Sequence, residues 1–150
     1  AGNDTQGTGS VAIGNSAGQT TQSGYAVAVG NAAGTTSQGT GSVAIGNSAG
    51  TTSQGANSIA IGSAAGTTSQ GANSIVINAT GSAVENTTAS SLVVKPVRSA
   101  AMTTILGYDA GTGEVTHNAA IPGYTNTADL KTLVANSATF ADFKTLIAAL

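Results

Sequence analysis

The sequence has no cysteine and no tryptophan, and aromatic residues make up only 3% of it. The missing thiols rule out a disulfide framework and any thiolate metal site, and they leave the redox compartment unmarked. Charge is nearly as scarce: Asp, Glu, Lys and Arg together reach 7%, where an ordinary globular domain has about a quarter. Between Asp4 and Glu85 there is none at all. A stretch without cations cannot neutralise phosphates, so nucleic acid is not an expected partner. The net charge of −2 gives no pull toward a membrane surface. No apolar run nears the roughly 18 residues of a spanning helix, so no membrane insertion is expected. Low charge together with many β-branched residues also separates the chain from disordered sequences. It opens AGND, with neither an initiator Met nor a signal-like segment, which reads as a processed form or an excised piece.

What the chain has in abundance is glycine, 21 of 150 residues, and repetition. SVAIGNSAG at 10–18 returns unchanged at 42–50, with altered copies at 26–34 and 58–66. The period is 16 and holds from residue 6 to about 85. Gln6, Gln22, Gln38, Gln54 and Gln70 make one row, Val11, Val27, Val43, Ile59 and Ile75 a second, and Ile13, Val29, Ile45, Ile61 and Ile77 a third. Gly14, Gly30, Gly46 and Gly62 mark one corner and Gly18, Gly34, Gly50 and Gly66 another, while Leu92, Val93 and Val94 read as a last, degenerate strand. Sixteen residues are too few for a helix plus a strand, but they suit one coil of a parallel β-solenoid with two short strands. Like residues would then stack about 4.8 Å apart, and ladders of Asn, Gln and Thr would replace charge as the hydrated surface.

Two large aliphatic residues per coil are little apolar surface to set against the entropy of ordering a whole turn of backbone. The strand shows where more could be hidden. If Val11 and Ile13 face the core, Ala12 faces outward, in a row with Ala28, Ala44, Ala60 and Val76. A strand apolar on both faces is normally buried on both. The small alanines then predict side-by-side packing of identical chains, and Ala44→Glu should dissociate the assembly.

SVAIGNSAG and SIAIGSAAG, separated by QGTG or QGAN, resemble the head repeats of trimeric autotransporter adhesins (YadA-like heads), and similar repeats occur in fibre proteins of bacteriophages and large algal viruses. The resemblance covers about residues 6–94 and implies a left-handed parallel β-roll wound as a homotrimer. The family's coil is commonly a little shorter than 16.

Beyond the repeats, TTILGYD and EVTHNAAI flank AGTG, which predicts a β-hairpin. SLVVKPVRS followed by ILGYDAGTGEVTH resembles segments that follow such repeats in viral fibre proteins, which favours a virus over a bacterium. After the break at IPGY, residues 121–124, the stretch Ala128–Ala135 matches Ala141–Ala148 at an offset of 13. Asn126 and Thr139 supply helix-start signals, so two short helices are expected. Leu133, Phe140 and Ile147 recur at spacing seven, with Phe143 and Leu150 between turns. They suit either a trimerising seam or a folded-back cap.

Several motifs invite chemistry that their setting does not support. GNSAG at 14–18 and 46–50 fits the G-x-S-x-G nucleophile elbow, but the intervening copies carry Ala for Ser and the single histidine, His117, lies far downstream. GTG at 7–9 and 111–113 lacks the rest of a dinucleotide fingerprint. His117 has no second His at i+2 and reads as a strand residue, and Asp129 and Asp142 read as helix-start charges. Asn3, Asn78 and Asn86 fit the N-glycosylation sequon. No enzymatic activity, cofactor or metal is expected.

The sequence thus predicts a mainly β chain in three parts: a β-roll at 1–94, a hairpin connector at 95–124 and a helical segment at 125–150. The expected role is an extracellular fibre or adhesin module on a virion, binding a host-surface receptor or glycan, with a bacterial autotransporter head as the alternative. An ice-binding solenoid is a third reading, from Thr20, Thr36, Thr52 and Thr68 stacked beside Gln19, Thr35, Thr51 and Thr67. It is disfavoured because neighbouring residues on a flat strand face opposite ways.

Overall fold

Each period closes into a coil because its corners are residues that accept a left-handed backbone. Gly34, for example, has φ 53°, a conformation that costs a residue with a Cβ about 1–2 kcal/mol. The computed structural model describes residues 1–97 and 105–118. The chain divides into two compact units, 1–98 and 99–150.

In the first unit the strands are β1 (Val11–Ile13), β2 (Thr20–Gln22), β3 (Val27–Val29), β4 (Thr36–Gln38), β5 (Val43–Ile45), β6 (Thr52–Gln54), β7 (Ile59–Ile61), β8 (Ile75–Asn78) and β9 (Leu92–Lys95). They stack as two parallel sheets. An aliphatic sheet runs β1-β3-β5-β7-β8-β9 and a hydroxyl-bearing sheet runs β2-β4-β6. The register is 16 residues from Val11↔Val27 through Ile59↔Ile75 and becomes 17 at Ile75↔Leu92. The protein is therefore a parallel β-solenoid of about five turns with coils of about 16 residues. Among the described residues there is no helix.

The interior is narrow and half polar. Its walls are Ala28, Ala44, Ala60 and Val76 from the aliphatic sheet and Ala17, Ala33, Ala49, Ala65 and Val84 from the corner that follows. Gln22, Gln38, Gln54 and Gln70 cross between the sheets. Gln38 Nε2 donates to the carbonyls of Val27 at 2.7 Å and Ser42 at 3.5 Å, and its neighbours in the row repeat the pattern. One amide thus spans the lumen with an alanine methyl beside it, and valine enters the inner row only at Val76, where the shorter Asn86 takes over from glutamine in the next coil. The Gln Oε1 atoms have no hydrogen-bond partner. Each packs on the Cα of a corner glycine: a Cβ on Gly34 would sit 2.5 Å from Gln38 Oε1 and 3.3 Å from the Ala28 Cβ. Serines complete the lining, each hydroxyl donating to the carbonyl three residues back, as from Ser42 to Gly39 at 2.7 Å.

The last coil departs from the pattern. Val76, Val84 and Val93 replace alanines, while Asn86 replaces glutamine, so methyl groups are added where a methylene is lost. Glu85 ends the hydroxyl sheet. The amide of Thr52 donates to the Thr67 carbonyl, but that of Thr68 donates to the Glu85 carboxylate at 2.9 Å, and the Thr67 hydroxyl donates to the same group.

In the second unit, β10 (Ile105–Tyr108) and β11 (Val115–Asn118) form the expected antiparallel hairpin, with Tyr108 opposite Val115. Asp109 Oδ1 accepts from the amides of Gly111 at 2.7 Å and Thr112 at 3.1 Å, and Gly113, at φ 73°, allows the chain to return. The amide of Thr112, then that of Gly111, holds the Asp109 carboxyl below its ordinary value. The two helices expected within 125–150 lie outside the described residues.

Candidate interaction faces

The strand alternation is as expected, but its sense is inverted. Ala28, Ala44, Ala60 and Val76 are fully buried inside the coil, and Ala12 packs against the same core. They are not available to a neighbouring chain. The residues expected inside are the ones turned out: Ile13 is 59% exposed, Ile45 40%, Ile61 39% and Ile77 41%. The physical reason is lumen width. With a Gln amide bridging the sheets and the Ala Cβ atoms resting near corner glycines, the inner position of these coils takes a methyl group, and a valine enters only at Val76, next to the shorter Asn86. Because the side-chain period is two, that constraint turns every alternate residue to the opposite face at once.

The outer side of the aliphatic sheet therefore carries two parallel stripes. One is Val11, Val27, Val43, Ile59, Ile75 and Leu92, exposed at its ends and half-buried between. The other is Ile13, Val29, Ile45, Ile61, Ile77 and Val94, exposed except at half-buried Val29. Six strands at about 4.8 Å make an uncharged apolar band roughly 24 Å long. Contiguous apolar patches of this kind mark association sites in soluble proteins.

The hydroxyl sheet presents a different surface. Thr21, Ser37, Ser53 and Ser69 have φ between 54° and 56°. The ladder pairs Thr36 with Thr52 and Gln38 with Gln54 and skips the left-handed residue between them. That residue bends each strand, so Thr36 and Ser37, Thr52 and Ser53, and Thr68 and Ser69 are all exposed. Two adjacent hydroxyl rows thus face solvent, where a flat strand would show one. Thr35 and Thr51 lie half-buried beside them, each donating to a carbonyl three residues back at 2.8 Å. At the corner between the sheets, Asn47 donates to Asn31 at 3.1 Å and Asn31 to Asn15 at 3.4 Å, a ladder that stops at Ser63.

The sequence reading missed the inner role of glutamine and the bend in the hydroxyl strands. The first had a signal: glutamine never varies from Gln6 to Gln70, whereas surface positions such as 57 and 63 differ from those a period earlier. The second had none, since threonine and serine are ordinary strand residues. Ser16 lies on a left-handed corner and donates to Asn15, which is not the strand-turn-helix setting of a nucleophile elbow. Among the described residues no group of three His, Cys, Asp or Glu could hold a metal, and no helix is long and apolar enough to cross a membrane. Leu133, Phe140, Phe143, Ile147 and Leu150, expected to pack in a trimer, lie outside the described residues. Comparison with protein-family models, curated proteins and solved structures finds no match to the chain.

Proposed function

We propose that the chain is a segment of a homotrimeric fibre or adhesin, carried on a virion surface, that attaches to a receptor or glycan on a host. The observation that carries it is the pair of outward-facing aliphatic stripes, one mostly exposed and the other half-buried between exposed ends, on one face of a stack without charge between Asp4 and Glu85. Three copies with these faces turned toward a common axis would cover all of them. The likeness of SVAIGNSAG and its copies to the head repeats of trimeric adhesins supports the same arrangement, wound left-handed. Three identical outer surfaces give multivalent contact, in which avidity raises affinity by about 10² to 10⁴ without any new contact.

Sedimentation velocity of the wild type and of Ile45→Glu/Ile61→Glu, followed by binding of both to host cells, tests this. The wild type should sediment as a trimer and attach, and the variant should be a monomer that attaches far more weakly. A monomeric wild type, or equal attachment by both, overturns the proposal.

A second reading rests on the paired hydroxyl rows. Thr36, Ser37, Thr52, Ser53, Thr68 and Ser69 form a regular, exposed array suited to ordering water as ice does. Thermal hysteresis in the wild type, abolished by Thr52→Tyr, would favour ice binding, and its absence would remove that reading.

A further inference from the structure

The three Asn-x-Thr sequons occupy two kinds of place in the fold. Asn3 is exposed, and its amide donates only to the adjacent Asp4 carboxylate at 3.1 Å. Asn78 is 3% exposed. Its Nδ2 uses both protons, on the carbonyls of Ser63 and Ser82, each at 2.7 Å. Its Oδ1 accepts from the Thr80 amide at 2.9 Å and the Thr80 hydroxyl at 2.7 Å. These bonds hold the loop that replaces a glycine corner in the last coil. The Thr of this sequon is thus explained by the turn it closes with Asn78. Asn86 is 6% exposed and stands in the glutamine row. Its Nδ2 points to the carbonyls of Ile75 and Ser91, each at 3.4 Å, and its Oδ1 accepts from the Ser91 hydroxyl at 2.8 Å.

N-glycosylation joins the asparagine Nδ2 to the anomeric carbon of an oligosaccharide. The bond from that carbon to a lipid pyrophosphate carrier breaks, the lipid pyrophosphate leaves and one amide proton is released. A glycosylated Asn78 could no longer donate to both Ser63 and Ser82, and a bulky, strongly hydrated chain would have to leave the coil where the Asn side chain is enclosed. At Asn86 the sugar would enter the lumen itself. Transfer takes place on the unfolded chain as it enters the compartment, before the last coil can close over either residue.

We infer that this chain folds where no oligosaccharide is transferred to asparagine, and that Asn78 and Asn86 are interior hydrogen-bonding groups rather than glycan acceptors. Asn3 is the sequon that the folded roll leaves open to modification. The inference is independent of the attachment reading, because it concerns the route of folding and not the ligand.

The test is to produce the full chain in one eukaryotic cell line, once in the cytosol and once through the secretory route behind a cleavable leader. The cytosolic protein should be unmodified and resistant to protease. The secreted protein should carry endoglycosidase-sensitive mass at Asn78 or Asn86 and be digested. Secreted Thr80→Ala/Thr88→Ala should recover resistance and keep a glycan at Asn3 alone. Because Thr80→Ala also removes a hydrogen bond, a second arm secretes the wild type with lipid-linked oligosaccharide synthesis inhibited, and resistance should again return. Secreted wild type as resistant as the cytosolic form overturns the inference, whether or not Asn78 and Asn86 carry sugar. Persistent digestion of the secreted wild type under the inhibitor overturns it as well.

Discussion

The aliphatic sheet and the hydroxyl sheet are built by the same coils at the same spacing, yet they offer opposite surfaces. On the first, extended strands send Ala28, Ala44 and Ala60 inward and Ile45 and Ile61 outward. On the second, a left-handed residue in mid-strand, such as Ser37 or Ser53, turns two polar side chains outward and sends glutamine in. The first surface is apolar and gains by being covered, whereas the second is satisfied when wet. The difference comes from one backbone angle per coil, and it places the apolar surface, which the proposed trimer would cover, on one side of the stack.

The sharpest way to break this comparison is at two adjacent residues of β5. Ala44→Glu puts a carboxylate with no partner into a fully buried position and should destabilise the coil by on the order of 4 kcal/mol, read as a collapse of the thermal midpoint by circular dichroism. Ile45→Glu, one residue along and 40% exposed, should change the unfolding free energy of the separated chain by less than about 1 kcal/mol while abolishing self-association in sedimentation. Equal melting of the two variants would show that the faces are wrongly assigned. At the end of the hydroxyl sheet, Glu85→Ala leaves the Thr68 amide without its carboxylate acceptor and should cost about 1 kcal/mol, seen as faster amide exchange at Thr68. The smallest effect is expected in the hairpin. The Asp109 carboxyl lies below its ordinary value of 3.8, so its contribution is present above that pH and is lost as pH falls through the lower, folded value. The amide resonances of Gly111 and Thr112 should therefore move at a pH below 3.8, and movement only above it would contradict the turn geometry.

Much of this architecture is legible in the letters. A row such as Gln22, Gln38, Gln54 can recur every 16 residues only if successive coils lie in register, and the ladder pairs them so. Which side of a strand faces in is not legible from alternation alone, because valine and alanine are both apolar and the pattern reads the same when reversed. The deciding quantity is the width of the lumen, set by a glutamine that looks like a surface residue. The bends at Thr21 and Ser37 were hidden for a related reason: a β-branched or hydroxyl side chain at positive φ opposes local propensity and is imposed by the coil as a whole. The alternation of the aliphatic strands is thus legible while its two sides are not, and the hairpin is legible outright because its turn chemistry is local.

In-register stacking also makes the length of such a rod adjustable in quanta. Deleting or duplicating one period, for example residues 26–41, would return every amide, methyl and corner to an equivalent neighbour, so recombination between near-identical stretches of gene would change reach in steps of about 4.8 Å without redesigning any interior. A change of another length would have to be absorbed in a loop, as the 17-residue step from Ile75 to Leu92 absorbs one extra residue while Asn86 keeps its place in the glutamine row. Such a lineage would vary how far it extends far more readily than how wide it is.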